Sequence, residues 1–408
     1  MVVLNVELIN KCEHELESIF KEIDNNTLIN SKKVIDAFHK YNFSESDLNG
    51  SVGYGYNDQG RDKLDKIFAY VFDAESAIVR NQFISGSHAI TIALQAMLRP
   101  NDTLLAISGT PYDTLHEVIG IKSNNSSLMS FNVNYKEIDL IDNDFDYDKI
   151  REACKENIRL IHIQRSRGYS LRDSLTIDKV EKVIKVIREV NNDVKIFIDN
   201  CYCEFVESTS PISVGANLIA GSLIKNLGAG IATNGAYIAG DTELVDLCAE
   251  RLTVPGEGRE VGPSQGVNRQ IALGLYMAPK VVSEALKTAI LTSKILEEKG
   301  LKTTPRYNDK RADIVQLIYF NNKEQLINYA CSIQKSGAVD SHVCPTPSPM
   351  PGYDNDIIMS SPSFTQGSSI ELSCDGPIRE PYVLFQQGSL TYEYGKLAIM
   401  NAIQNLNE

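Results

Sequence analysis

Apolar residues recur at Leu4, Leu8, Ile9, Cys12, Leu16, Ile19 and Phe20, with polar and charged positions between them. That spacing lays one apolar stripe along an amphipathic helix. A second helix is predicted over 31–40. A glycine-rich stretch, 50–60, interrupts the pattern, and another helix is predicted over 64–72. From about Ala74 the period changes. Short runs rich in β-branched residues predict strands over 77–80, 103–107, 159–163, 194–199, 218–223 and 235–239. Longer segments of 3.6 period predict helices over 88–98, 112–119, 147–155, 177–190 and 243–252. Such alternation argues for an α/β domain with a mostly parallel sheet flanked by helices. A long helical region over 264–299 leads out of it. The remainder mixes strands over 313–319 and 369–374 with helices, as in a smaller α+β domain. A loop over 340–365, with Pro345, Pro347, Pro349 and Pro351, separates them. The expected division is an N-terminal helical arm (1–60), a large ligand-binding domain (61–275) and a small C-terminal domain (276–408).

The 408 residues carry 40 Lys and Arg against 53 Asp and Glu, a formal net charge of −13. That balance argues against a nucleic acid or an anionic membrane as partner, because phosphate neutralisation needs the opposite sign. A small anionic ligand remains compatible with it. The eight cysteines are scattered and none has C-x-x-C spacing. This is neither a disulfide framework nor a zinc ribbon. No apolar run is long enough to span a bilayer. A soluble cytoplasmic protein with reduced thiols is expected.

Four segments carry candidate chemistry. The apolar run Ile196-Phe-Ile ends in Asp199, and the run Leu218-Ile-Ala-Gly-Ser222-Leu-Ile ends in Lys225. Ligands of parallel sheets sit beyond the carboxyl ends of the strands. An amine there can form a Schiff base with an aldehyde. A carboxylate there can hold a pyridinium nitrogen protonated. Ser85-Gly86-Ser87-His88 opens a helix and offers free N–H groups to an anion. It is neither a Walker loop nor a dinucleotide fingerprint. Tyr112, in Gly109-Thr-Pro-Tyr112-Asp, follows another strand and can stack on a cofactor ring. Singly, each segment has an ordinary structural reading. His88 reads best as a structural histidine, and Cys201 and Cys203 as small buried hydrophobes. Together, glycine loop, aromatic, aspartate and lysine suit a pyridoxal phosphate (PLP) site.

The chain resembles fold-type I PLP enzymes of the cystathionine β-lyase and methionine γ-lyase family. It is most similar to the subgroup of aluminium-resistance proteins. The likeness is carried by Gly53-Tyr-Gly-Tyr56-Asn-Asp-Gln-Gly-Arg61, Ser85-Gly-Ser-His88, Gly109-Thr-Pro-Tyr112-Asp-Thr and Gly221-Ser-Leu-Ile-Lys225-Asn. Ile370-Glu-Leu-Ser and Asp375-Gly-Pro-Ile-Arg379-Glu-Pro add to it. The resemblance implies a PLP-dependent carbon–sulfur lyase acting on a sulfur amino acid. Lys225 would be the aldimine lysine and the base for the α-proton, its pKa lowered by the pyridinium. Asp199 would hold the ring nitrogen, and Tyr112 would stack on the ring and protonate a leaving group. Gly86, Ser87 and Ser222 would hold the phosphate. Tyr56 and Arg61 would reach the phosphate of a neighbouring subunit, implying an active dimer, itself paired into a tetramer. The family's usual carboxylate-binding arginine before Leu-Ser is replaced here by Glu371. Arg379 and Arg167 are the substitutes expected to bind substrate. Transamination, aldol cleavage or a non-catalytic, stress-related PLP protein remain alternatives, since fold and cofactor do not fix the reaction.

Overall fold

The structure, a computed structural model, describes residues 6–350 and 355–407. Leu4 and Pro351 lie outside the described residues. Seven strands form the central sheet: β1 (Ser76–Arg80), β2 (Thr103–Ala106), β3 (Asn134–Glu137), β4 (Leu160–Gln164), β5 (Lys195–Asp199), β6 (Leu218–Ser222) and β7 (Ala236–Gly240). Their order is β1-β7-β6-β5-β4-β2-β3. The pairs β3–β2, β2–β4, β4–β5 and β5–β6 are parallel, and β7 runs antiparallel to both its neighbours.

Helices cover both faces, which is why the inner strands are apolar throughout. The helices are α1 (Val6–Lys40), α2 (Gln59–Val71), α3 (Gly86–Met97), α4 (His116–Ile119), α5 (Tyr147–Ala153), α6 (Ile177–Val190), α7 (Thr242–Leu252), α8 (Asn268–Glu298), α9 (Lys323–Ser336) and α10 (Tyr392–Gln404). Successive side chains of a strand point to opposite faces. Ile196 and Ile198 of β5 pack with α2, α6 and α8, while Phe197 packs with α3 and α7. The C-terminal sheet is antiparallel, ordered β10 (Ile357–Ser360), β11 (Ser373–Pro377), β12 (Val383–Gln387), β9 (Gln316–Tyr319), β8 (Lys302–Thr304).

Four expectations shift. The two N-terminal helices are one, α1, of 35 residues. Between the two predicted helices, Asp24-Asn-Asn-Thr27 is poor in helix formers, because such residues compete with helical backbone bonds. Here Asn26 and Asn30 donate to Val206 O (3.0 Å) and Phe205 O (3.1 Å) across the fold, so tertiary partners keep the helix whole. The upper part of α1 packs with the C-terminal sheet through Ile9, Cys12 and Leu16. Its lower part packs on the large domain through Val34 and Ala37. Next, the helix predicted over 112–119 shortens to a 3-10 turn and α4, which leaves Tyr112 extended ahead of it. Finally, the long loop contains strand β10, and Cys331 and Cys344 form a disulfide, so the thiols are not all reduced. No described helix is long and apolar enough to cross a membrane.

Candidate active site

The sheet delivers its polar residues to one end. Asp199 closes β5, Gln164 closes β4, and Ser222 closes β6, three residues short of Lys225. Beyond these ends lies a cleft of about 680 Å³, including its open mouth. Ser87, Tyr112, Asp199, Tyr202 and Lys225 line it from the large domain, and Asp375, Phe385 and Gln387 from the C-terminal sheet.

Lys225 is held in place by aromatic and acidic neighbours. Its Nζ lies 4.1 Å from the centroid of the Tyr202 ring. Burial alone would lower its pKa, but Cys201, Tyr202, Asp199 and Glu204 together raise it above that of a free lysine. The surroundings of Lys225, Cys201 and Tyr202 foremost, thus favour its protonated form, and the lowered pKa expected from a pyridinium depends on the cofactor's own charge. Asp199 is buried and accepts a hydrogen bond from the Cys201 N–H (3.0 Å), which orients its carboxylate.

The anion-binding corner forms where α3 begins. Ser85, rather than Ser87, is the N-cap, its Oγ accepting from the His88 N–H at 3.1 Å. Ala89 N–H bonds to Ser85 O, which leaves the first-turn N–H groups of Gly86 and Ser87 for an anion. Ser222 stands beside them: a Cβ on Gly86 would fall 3.1 Å from the Ser222 Cβ. A helix start free of side chains, next to a hydroxyl and a lysine, is a fitting cradle for a phosphorylated aldehyde such as PLP. Ser87 itself shares a hydrogen bond with Thr114 (2.8 Å). His88 Nδ1 accepts from the Ile84 N–H (3.2 Å), and burial lowers its pKa, so the ring is a neutral loop fastener.

Tyr112 is positioned through its backbone, whose N–H donates to Gln164 Oε1 (2.7 Å). Gly168 makes room for its ring. With φ +56°, a Cβ there would meet Tyr112 Cδ2 at 2.8 Å. Gly168→Ala is expected to lose about 1–2 kcal/mol of stability and to displace Tyr112; a lower unfolding midpoint together with reduced turnover would be the signature.

Four expected site residues, Tyr56, Arg61, Arg167 and Arg379, do not line the cleft. Arg61 is buried and used by its own chain. Its Nη1 donates to Gly55 O (2.8 Å) and Gly262 O (3.0 Å), and its Nη2 pairs with Asp62 at 2.8 Å. It pins the glycine-rich loop and has no free face for a neighbour's phosphate. Tyr56, on that loop, is exposed. Arg379 is exposed in the turn between β11 and β12, outside the cleft. Arg167 is buried behind the cleft wall, its Nη1 3.5 Å from Thr304 O and its Nη2 3.7 Å from Asp173. Its local sequence suggested a strand-end ligand, but the chain turns it away and presents Ser166 and Gly168 instead.

The structure also brings in groups the sequence did not single out. Tyr202 and Gln164 stood beside named residues and were within reach of the strand-end argument. Asp375 and Phe385 come from the other sheet, so no local signal marks them. Glu204 is fully buried next to Lys225 and accepts from Tyr237 OH (3.1 Å). A Cβ on Gly221 would come within 2.2 Å of its Oε1, so that glycine is required for the carboxyl to fit. Burial pushes Glu204 up to about 8, despite Tyr237 and Lys225 pulling it down. Its contribution to stability is thus complete below the unfolded value near 4.5 and is lost as pH rises through 8. Across that interval the unfolding midpoint of the apoprotein should fall, and Glu204→Gln should flatten the fall; identical pH profiles would refute this.

Residues 5–407 match the family model described as Methionine gamma-lyase. The chain belongs to the methionine γ-lyase family. The uncharacterised protein YnbB of Bacillus subtilis is 43% identical over 98% of this chain and 97% of its own length. A solved structure from Clostridium acetobutylicum, provisionally named a cystathionine β-lyase involved in aluminium resistance, is 47% identical. It matches this family member with a TM-score of 0.95 over 98% of the chain and 95% of its own. The PLP-dependent protein YhfS of Escherichia coli, 17% identical with a TM-score of 0.64, covers 94% of this chain and 97% of its own. That likeness is one of fold: the architecture is that of fold-type I PLP enzymes.

Proposed function

We propose that the protein is a PLP-dependent carbon–sulfur lyase acting on a sulfur amino acid, of the cystathionine β-lyase or methionine γ-lyase type. The observation that carries this reading is the meeting of Lys225, Asp199 and the open start of α3 around one cleft. Lys225 would hold the cofactor covalently, Asp199 its ring nitrogen, and Gly86, Ser87 and Ser222 its phosphate. When bound, PLP supplies an electron sink conjugated to the substrate amine.

The chain's own groups handle protons and position. The Lys225 Nζ would take the Cα proton of the bound substrate. Asp199, oriented by the Cys201 N–H, would offer its carboxylate to the ring nitrogen. Tyr112, placed by Gln164, gives its phenolic proton to the departing sulfur. Tyr202 and Phe385 narrow the cleft and keep bulk water from the reacting carbon.

Mixing the PLP-loaded protein with cystathionine, methionine or cysteine should release a 2-oxo acid and ammonia. No release from any of the three would defeat the proposal. A shared active dimer is part of this reading through Tyr56 alone, since Arg61 is engaged at home.

A further inference from the structure

The proposed chemistry leaves one carboxylate of the cleft without a task. Asp375, in β11, lines the cleft opposite the large domain and is only 9% exposed. Its Oδ1 has no hydrogen-bond partner. The carboxyl is otherwise contacted by the Tyr169 side chain and by Gln387 Nε2 at 3.4 Å. No lysine or arginine among the described residues forms an ion pair with it, and no arginine lines the cleft. Lys225, the cation of the cleft, lies over Tyr202 and is counted with Asp199 and Glu204.

Aromatic rings surround this carboxylate. Tyr169 packs edge-on against Phe385, with centroids 5.2 Å apart, and its ring lies 6.2 Å from that of Tyr112. All three rings line the same cleft. Ring faces are negative and attract cations, most strongly where water is excluded. A buried carboxylate with one unmet oxygen is costly to keep unless a positive partner arrives. A neutral thioether would leave that cost in place, and an anionic side chain would add repulsion.

We propose that Asp375, with Tyr169, Phe385 and Tyr112, binds a positively charged group at the far end of the substrate's side chain, an ammonium or a sulfonium. The proposal rests on the reading of this cleft as one that binds an amino acid through its α-amine at the cofactor. Burial pushes the Asp375 carboxyl up to about 7 against the pull of Tyr169 and Gln387, and a cation beside it would lower it again. Asp375 thereby sets substrate choice rather than the reaction.

The test uses PLP-loaded protein and ligands paired by length. S-(2-Aminoethyl)cysteine is compared with S-propylcysteine, and S-methylmethionine with methionine. Apparent Kd is read from the change in cofactor absorbance, and kcat/KM from oxo acid release. The wild type should favour the charged member of at least one pair by about tenfold or more; which pair responds separates ammonium from sulfonium. Asp375→Asn should bring that ratio close to one, and Asp375→Glu should retain a preference. No preference in the wild type would overturn the proposal. So would a loss in Asp375→Asn that falls equally on both members, which is the mark of a structural group or a proton donor. If the binding ratio holds but nothing is eliminated, the cation site stands and the lyase reading fails. Elimination without charge preference leaves the lyase reading standing and removes the cation site.

Discussion

Lys225→Ala is expected to give a protein that folds, binds PLP only reversibly and turns over substrate at least about 10³-fold more slowly. The side chain lies in the cleft over Tyr202, in surroundings of Cys201, Tyr202, Asp199 and Glu204 that together favour its charged form. It has two tasks, covalent attachment and proton abstraction, and no other lysine lines the cleft among the described residues. Borohydride should fix the cofactor to the wild type at Lys225 and leave the variant unlabelled. Labelling at another lysine would show the assignment to be wrong. Removing the cation also takes away a group that holds the Glu204 pKa down, so the variant should become more sensitive to rising pH.

The second large effect belongs to Asp199. Asp199→Ala deletes a buried carboxylate whose position is set by the Cys201 N–H and whose neighbours are Lys225 and Cys201. Without a carboxylate facing the ring nitrogen the electron sink loses its charge partner, so turnover should fall by roughly 10²–10³-fold. Asp199→Asn keeps the shape and removes the charge, so it should lose nearly as much activity while retaining the unfolding midpoint. A variant that loses stability but keeps its turnover per folded molecule would make Asp199 a structural residue. The two variants thus separate placement from charge.

Much of the site was legible locally because strand ends announce themselves. An apolar run that stops at a charge marks both the end of a buried strand and the edge of a cleft. Asp199 and Lys225 end such runs and line the cleft, and Ser85-Gly86-Ser87 opens a helix beside it, where small residues are needed. Arg61 and Arg167 were misread because an arginine's reach hides its partners. Arg61 meets Gly55 and Gly262 carbonyls, the second of them far along the chain. Arg167 is enclosed between the large domain and the Thr304 turn. Neither partner is visible from a residue's neighbours in sequence. Arg379 failed for a simpler reason. The turn between β11 and β12 carries it into solvent, while Asp375, earlier on the same strand, enters the cleft.

By itself the sequence determined the alternation of strand and helix, the mostly parallel sheet, and the residues at its carboxyl edge. Hydrophobic period and strand-end polarity are local properties, and burial on both faces of a sheet writes them into consecutive residues. Only the tertiary structure decided that α1 is one helix, since its polar midpoint is satisfied by carbonyls of Phe205 and Val206. It alone decided that Arg61 is spent on the glycine-rich loop, and that Asp375 from the second sheet lines the same cleft as Lys225. Those outcomes depend on which distant donors and acceptors meet. Hydrogen bonds and charges act over a few ångströms of space, whatever the distance along the chain.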